Sequence, residues 1–208
     1  MLGCISDFTI NHMLGIEVRI DMNRFCLKMD KYGQPLVIFE ISTETAGTVF
    51  MTTRKFGEQD NNRAVVFVDA NKLIELWKND PYNSEPLLAY GNESIWRSDL
   101  KFSQAERGFS FGKCNPVPLA SIECSTHVYK NPVWQRKFLL FKELVGVVQE
   151  EVSYIGFIDG ITRAIWLLAN NAKNFPVECS LGDAKLLQKE AGVIGSTYIT
   201  VADLYSGI

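Results

Sequence analysis

The clearest indication of the fold is the segment Tyr154-Ile-Gly-Phe-Ile-Asp-Gly-Ile-Thr-Arg-Ala-Ile-Trp-Leu-Leu168. In it an apolar run ends in Asp-Gly-x-x-Arg, and helical periodicity follows. Val152 to Ile158 is β-branched and aromatic, which predicts a strand, and Asp159-Gly160 supplies the tight turn that ends it. A helix is predicted from Thr162 to Asn170. The N–H groups of its first turn point beyond the strand end and Arg163 adds a planar cation, so the turn is predicted to bind an anion such as phosphate.

A purely structural role is the alternative for this turn. Asp-Gly is among the commonest turn dipeptides, and an Arg in a first helical turn is often only solvated. The residues that follow favour a site, because Asn170 to Asn174 breaks the helix and Phe175-Pro-Val-Glu-Cys179 is predicted as a short strand. The predicted order is therefore strand, glycine turn, helix, loop and strand.

This order of elements resembles the core of the ParB/sulfiredoxin superfamily, whose members have a Gly-x-x-Arg or Asp-Gly-x-His-Arg box opening a helix. Within it, the chain is similar to the plasmid fertility inhibition factors. Phe157 to Leu168 with Phe175 to Cys179 looks like that family's F-x-[DN]-G-[RK]-H-R-x-x-W-L and P-V-E-V segments. Val66 to Asp80 is similar to its V-D-x-x-x-F-x-x-x-W-x-x-D segment, and Asn115-Pro-Val-Pro-Leu119 adds to the resemblance.

The chain departs from the family pattern at one position of the box. Thr162 stands where the family usually has a His, and a Thr hydroxyl near neutral pH only donates or accepts hydrogen bonds. No Cys lies between Gly160 and Arg163, so the sulfinic acid reductase chemistry of sulfiredoxins is expected to be absent.

The resemblance implies an α+β fold with a ParB/sulfiredoxin-like core, a mixed sheet flanked by helices, over residues 63–208. Residues 1–62 are expected to form a β-rich N-terminal extension, because alternating segments at Gly15 to Ile20, Pro35 to Ile41 and Gly47 to Thr52 predict antiparallel strands.

Capping residues predict two further helices. Asp69 is expected to cap Ala70 to Lys78, and Ser180 is expected to start Leu181 to Ala191, which Gly192 ends. A possible strand follows at Tyr198 to Val201.

Two other regions have weaker signals. Residues 79–114, rich in Asn, Ser, Gly, Pro and charge, are predicted to be a functional loop. If this loop folds over the Gly160 turn, it would bring Tyr82, Tyr90, Arg97 and Arg107 to a nucleotide or DNA phosphate. The segment from Val133 to Val148 is predicted to be a helix.

Composition limits the classes of function. The 208 residues have a formal net charge of −3 and a pI of about 5.5, which excludes the global basic field of a protein that coats nucleic acid. The best local candidate for a DNA contact is Lys130 to Lys142, with four cations and no acidic residue. A solvated helix face with its aromatic side chains in the core is the preferred interpretation of that segment.

The cysteines indicate the cellular compartment, and the histidines bear on metal binding. The five cysteines are scattered without a Cys-x-x-Cys pair, which predicts reduced thiols in the cytoplasm, and two histidines argue against a His-based metal site. The N-terminus lacks the form of a signal peptide, and no apolar run of about 18 residues exists, so no direct membrane insertion is expected.

The resemblance further implies a plasmid-encoded inhibitor of conjugative or T-DNA transfer that acts on the coupling protein of a type IV secretion system. DNA is a second candidate partner. Some family members are associated with ATP hydrolysis and DNA cleavage. The expected cofactors are therefore ATP, or another nucleotide, and Mg²⁺.

The site residues follow from the same box. Gly160 and the N–H groups of Ile161 and Thr162 are expected to cradle phosphate oxygens, while Arg163 stabilises charge that develops in phosphoryl transfer. Asp159 is expected either to hold Mg²⁺ or position water, or only to accept backbone hydrogen bonds in its own turn. Outside the box, a weaker candidate for a second metal contact is Glu178.

Two alternatives to an enzyme stay open. In the first, the chain is a non-catalytic inhibitor whose nucleotide site is vestigial and whose surface blocks a protein. In the second, it is a ParB-like DNA-binding factor, which the acidic balance disfavours.

Overall fold

The computed structural model describes residues 25–29, 33–138 and 141–206 and shows two sheets flanked by helices. The strands are β1 Phe25–Met29, β2 Pro35–Ser42, β3 Thr48–Arg54, β4 Arg63–Asp69, β5 Val117–Pro118, β6 Ala120–Phe138, β7 Phe141–Asp159, β8 Asn174–Ser180 and β9 Ile199–Thr200. The α-helices are α1 Ala70–Lys78, α2 Pro86–Ala89, α3 Glu93–Arg97, α4 Phe102–Ser110, α5 Ile161–Ala169, α6 Leu181–Ala191 and α7 Val201–Tyr205.

Both sheets are mixed. The first has the order β1-β2-β3-β5, in which only β3 and β5 run parallel. The second has the order β7-β6-β8-β4-β9, in which β6 and β8 run parallel. The predicted α+β class with mixed sheets flanked by helices is therefore confirmed, whereas the division into residues 1–62 and 63–208 stays a prediction.

The core joins the two sheets. Phe39 of β2 meets Phe67 of β4 edge to face, with ring centroids 5.8 Å apart. The Tyr205 hydroxyl donates to the carbonyl oxygen of Thr53 at 2.7 Å and accepts the N–H of Val37 at 3.3 Å. The last helix thereby ties β2 and β3 to the second sheet.

The capping predictions are confirmed. The Asp69 carboxylate accepts the N–H groups of Asn71 and Lys72 at 3.0 and 3.1 Å, and α1 has the predicted bounds. The Ser180 hydroxyl accepts the N–H of Asp183 at 3.1 Å, and α6 also has the predicted bounds. Local sequence decides these ends because the cap satisfies N–H groups that lack helical partners.

The strand predictions have mixed outcomes. The segments at Pro35 to Ile41 and Gly47 to Thr52 are confirmed as β2 and β3, and the strand at Phe175 to Cys179 is confirmed as β8. The segment at Gly15 to Ile20 lies outside the described residues. At Tyr198 to Val201 only the two middle residues form a strand.

The prediction of a loop over residues 79–114 is wrong. Most of this region forms α2, α3 and α4, with buried Trp96, Phe102 and Phe109. Pro86 opens α2, and the Asn92 side chain caps α3 by accepting the N–H of Ile95 at 3.2 Å. Because α2 and α3 have only four and five residues, they give no clear periodic signal, and burial of Trp96 in α3 and of Phe102 and Phe109 in α4 stabilises this region.

The predicted helix at Val133 to Val148 is also wrong, because the described residues of this segment belong to the antiparallel strands β6 and β7. Gly146 disfavours a helix interior, and the valines of this segment favour strands. Trp134 and Phe141 are exposed rather than in the core.

Burial also separates the three cysteines whose side chains the structure describes into two classes. Cys114 is exposed, whereas Cys124 and Cys179 are buried. Burial, with a smaller contribution from the charge of Asp183, raises the pKa of each buried thiol to about 12. These two thiols are therefore protonated at neutral pH and shielded from reagents.

We expect iodoacetamide at pH 8 to modify Cys114 in the native protein at least about 100-fold faster than Cys124 or Cys179, because only the thiolate reacts. Peptide mass mapping after timed quenching measures each site, and the denatured protein serves as the control in which all three react. Equal native rates at the three sites would contradict the assigned burial.

Candidate functional site

The turn between β7 and α5 requires a glycine for two reasons. Gly160 has a left-handed backbone with φ 89° and ψ 18°. A side-chain carbon there would lie 2.8 Å from the Ala120 Cα atom of the neighbouring strand and 2.5 Å from Arg163 Nη2. Only glycine accepts both this conformation and this close approach.

Arg163 folds back over the turn. Its Nη2 donates to Asp159 Oδ2 at 2.6 Å, four residues earlier. The Arg163 side chain is 16% exposed, whereas that of Asp159 is 76% exposed. The guanidinium is thus held against the protein while the carboxylate reaches into solvent.

A second donor of the same guanidinium has no partner. Arg163 Nε is buried and makes no hydrogen bond within the described part of the chain. Gly160 has no side chain to cap α5, so the N–H groups of the first turn, those of Ile161 and Thr162, donate no hydrogen bond to a capping side chain in the described part of the chain. A buried donor left unpaired costs about 1–3 kcal/mol, so an anionic oxygen bound here would gain from satisfying it.

Within the Gly160 turn, one carboxylate, that of Asp159, is suited to bind Mg²⁺. Among residues 33–138 and 141–206, no cluster of three or more His, Cys, Asp or Glu side chains is suited to hold a metal ion. Mg²⁺ commonly uses one or two carboxylates together with substrate phosphates and water. Asp159 therefore fits a metal ion shared with a nucleotide, and this assignment stays a prediction.

Glu178 lies in a different cluster. Its Oε1 and Oε2 accept Arg63 Nε and Nη2, each at 2.7 Å, and Oε2 also accepts the Thr53 hydroxyl at 2.9 Å. Ser121 of β6 stands in register with both Glu178 and Asp159. The two carboxylates thus belong to strands separated by one strand, about 10 Å apart at the backbone.

The sequence thus predicted one group that the structure assembles and one residue that it places elsewhere. Asp159, Gly160, Ile161, Thr162 and Arg163 form a single turn. Glu178 pairs with Arg63 instead. The role of Glu178 in catalysis stays a prediction.

The Arg63 cluster was not predicted from the sequence. Arg63 Nη1 donates to Asp60 Oδ1 at 2.6 Å, and Asp60, only 3% exposed, also accepts the N–H groups of Phe56 and Gly57. Burial alone would lower the pKa of Arg63, but hydrogen bonds and charges from Glu178 and Asp60 outweigh it and raise that pKa. The i,i+3 spacing of Asp60 and Arg63 was the only local signal.

Arg97, expected near the Gly160 turn, lies at the opposite end of α5. It donates to the Ala169 carbonyl oxygen at 3.1 Å and to Glu93 at 2.8 Å. Nine helical residues separate the two ends by about 13 Å, so Arg97 takes no part in the turn.

The described helices are all too short or too polar to cross a bilayer.

Comparison with known proteins covers the candidate site. A family model described as plasmid fertility inhibition factor matches residues 65–192, more than half of the chain, and this range includes the Gly160 turn. The crystal structure of Oncogenic Suppression Activity Protein, a plasmid fertility inhibition factor, as a gold(I) cyanide derivative, superposes with a TM-score of 0.62 at 22% sequence identity. That alignment covers 83% of this chain and 77% of the other, which shows a shared fold. No curated protein sequence matches the chain.

Proposed function

The chain belongs to the plasmid fertility inhibition factor family, and from this premise we propose that it blocks conjugative or T-DNA transfer at the coupling step of type IV secretion. We also propose that its Gly160 turn binds the phosphates of ATP or another nucleotide and supports ATP hydrolysis, DNA cleavage or both. The relation of this core to the ParB/sulfiredoxin superfamily is part of the same proposal. So is its action in the cytoplasm.

The observation that supports the phosphate site is the unpartnered Nε of Arg163 beside an uncapped helix start. Backbone N–H groups and the helix dipole favour an anion at that position. A guanidinium already held against the turn loses little freedom when it binds a phosphate, so the donor geometry is preorganised.

The residues of the turn would have separate roles in phosphate binding and phosphoryl transfer. The N–H groups of Ile161 and Thr162 would hold phosphate oxygens, and Arg163 would stabilise negative charge on the transferred group. Asp159 would orient an attacking water through its exposed carboxylate. Mg²⁺, bound through Asp159 and the phosphates, would supply charge neutralisation.

Thr162 limits how protons move in this site. A hydroxyl with no imidazole beside it does not shuttle protons near neutral pH. Water activation would therefore depend on the Asp159 carboxylate. The ion pair that this carboxylate makes with Arg163 would have to open or be shared when a nucleotide binds.

The test compares wild type with Arg163→Ala for binding and hydrolysis of ATP and CTP in the presence of Mg²⁺. We expect wild type to bind or hydrolyse at least one nucleotide and Arg163→Ala to lose about 100-fold in turnover or more, because the loss of one preorganised charged donor has effects of this size. Arg97→Ala is the matched control, since it removes an arginine from the other end of α5. Equal activity of wild type and Arg163→Ala would refute the assignment.

A second candidate function has its own support. The Asp159–Arg163 ion pair already occupies part of the guanidinium, and Thr162 replaces the family's His. Both features suit an inhibitor that has a vestigial nucleotide site and blocks its target by contact. Such a protein would still suppress plasmid transfer as Arg163→Ala, whereas an enzyme or nucleotide switch would not.

A further inference from the structure

The outer parts of β6 and β7 form a two-stranded ribbon, residues 128–137 and 141–151, in which side chains on both faces are exposed. β6 pairs with β8 only at Ala120 and Ser121, and β7 is the edge of its sheet. The ribbon thus extends beyond the elements that bury the rest of the sheet.

One face of the ribbon combines cations with apolar side chains. Residues that alternate along β6, and the residues in register with them on β7, share a face. This face, called the basic face below, holds Lys130, Pro132, Trp134 and Arg136 opposite Gln149, Val147, Leu144 and Lys142. The same face continues to Val128 opposite Glu151, so it has one carboxylate, at the end of the ribbon nearest the rest of the sheet. In the described part of the chain its three cations form no salt bridge.

The opposite face holds the other two acidic residues of the ribbon, Glu143 and Glu150, and both have partners. Glu143 accepts Lys137 in a salt bridge at 2.7 Å, and Glu150 accepts the Asn131 side chain at 3.3 Å. The basic face therefore has three cations and one carboxylate, whereas the opposite face has the cation Lys137 and two carboxylates that have partners.

The basic face has one arrangement that is unfavourable in the isolated chain. Arg136 and Lys142 stand directly opposite each other on neighbouring strands. Like charges in that relation destabilise a hairpin. An anionic partner on this face would relieve the repulsion.

The apolar residues indicate which anionic partner fits. Trp134, Leu144 and Val147 on the basic face are 56%, 50% and 54% exposed, and Phe141 near the end of the ribbon is 69% exposed. A nucleic-acid backbone uses the cations but not the aliphatic groups. The interface of an anionic bilayer uses both, because Trp settles at the headgroup level and cations pair with acidic headgroups.

We propose that the ribbon docks by its basic face onto the surface of an anionic lipid bilayer. It would lie flat, since the open N–H and C=O groups of both strand edges need water and exclude a crossing of the hydrocarbon. Residues 139 and 140, which join the strands, lie outside the described residues and are not needed for this docking. The docking is direct and peripheral and requires no insertion across the bilayer.

The test is flotation with vesicles of phosphatidylcholine alone or with 30% phosphatidylglycerol, about 30% being enough to give a strongly negative surface. We expect wild type to bind the anionic vesicles at least about tenfold more tightly than the neutral ones and to release them as salt rises. The variant Lys130→Gln/Arg136→Gln/Lys142→Gln should lose at least about tenfold in affinity. Lys72→Gln/Lys101→Gln/Lys185→Gln has the same net charge and removes exposed body cations, so it should bind like wild type.

Tryptophan fluorescence provides a local readout. Trp77, Trp96 and Trp166 are buried, so a blue shift and protection from iodide on vesicle binding must come from Trp134 and should vanish in Trp134→Phe. Arg163→Ala should bind vesicles normally, because docking does not use the phosphate site.

Three results would overturn the proposal. The first is no binding to anionic vesicles at low salt, and the second is equal binding by the ribbon variant and wild type. The third is that wild type ignores vesicles but binds a DNA duplex through the ribbon cations, which would make the ribbon a nucleic-acid arm.

Discussion

Arg63→Ala should lower the free energy of unfolding by about 3–5 kcal/mol, the range found when one partner of a buried ion pair is removed. The substitution leaves the carboxylates of Asp60 and Glu178 without their cation in a site where the Arg63 side chain is only 16% exposed. It also removes the hydrogen bond from the guanidinium to the Arg54 carbonyl oxygen and the cation–π contact of the guanidinium with the Phe56 ring.

Urea denaturation followed by circular dichroism measures this loss. Lys173→Ala is the matched control, because its salt bridge with Glu44 at 2.8 Å is well exposed and should contribute no more than about 1 kcal/mol. The double variant Arg63→Ala/Glu178→Ala should be less destabilised than the sum of the single variants. A loss below about 1 kcal/mol for Arg63→Ala would show that the cluster does not stabilise the fold.

Gly160→Ala should destabilise the protein by about 2–4 kcal/mol and impair any phosphate binding. The left-handed backbone costs a residue with a side chain about 1–2 kcal/mol. The new methyl would also lie 2.8 Å from the Ala120 Cα atom, which is backbone and cannot turn aside. Relief of that contact would shift β6 against the turn.

Gly195→Ala isolates the second contribution. Gly195 has a similar φ of 81° with open space around it, so alanine there should cost only the backbone strain. The difference in urea midpoint between the two variants therefore reports the close packing at Gly160. Equal midpoints would mean that β6 does not approach the turn as described.

The predictable parts of the fold have local signals. Asp69 and Ser180 fix helix starts because their side chains bond N–H groups two or three residues away. Asp159-Gly160 fixes the turn because few other dipeptides leave a strand so sharply. Arg163 reaches Asp159 across one helical turn, which also depends only on sequence neighbours.

The features that were predicted wrongly or not at all depend on contacts between residues far apart in the sequence. In the hairpin, Trp134, Phe138, Phe141, Val145 and Val148 recur at helical spacing, although the chain forms strands. Pairing between the strands decides the structure there. The Arg63–Glu178 pair joins residues 115 positions apart, so its existence depends on the sheet order rather than on either segment.

In the second sheet, a strand that is synthesised early lies between two strands that are synthesised late. β4 is made early, yet both of its neighbours, β8 and β9, come from the last 35 residues of the chain. Until these have emerged, the strand Arg-Ala-Val-Val-Phe-Val-Asp presents two open apolar edges, the arrangement most prone to pair with other chains. A premature stop codon anywhere before Asn174 should therefore yield an aggregating fragment rather than a shorter inhibitor.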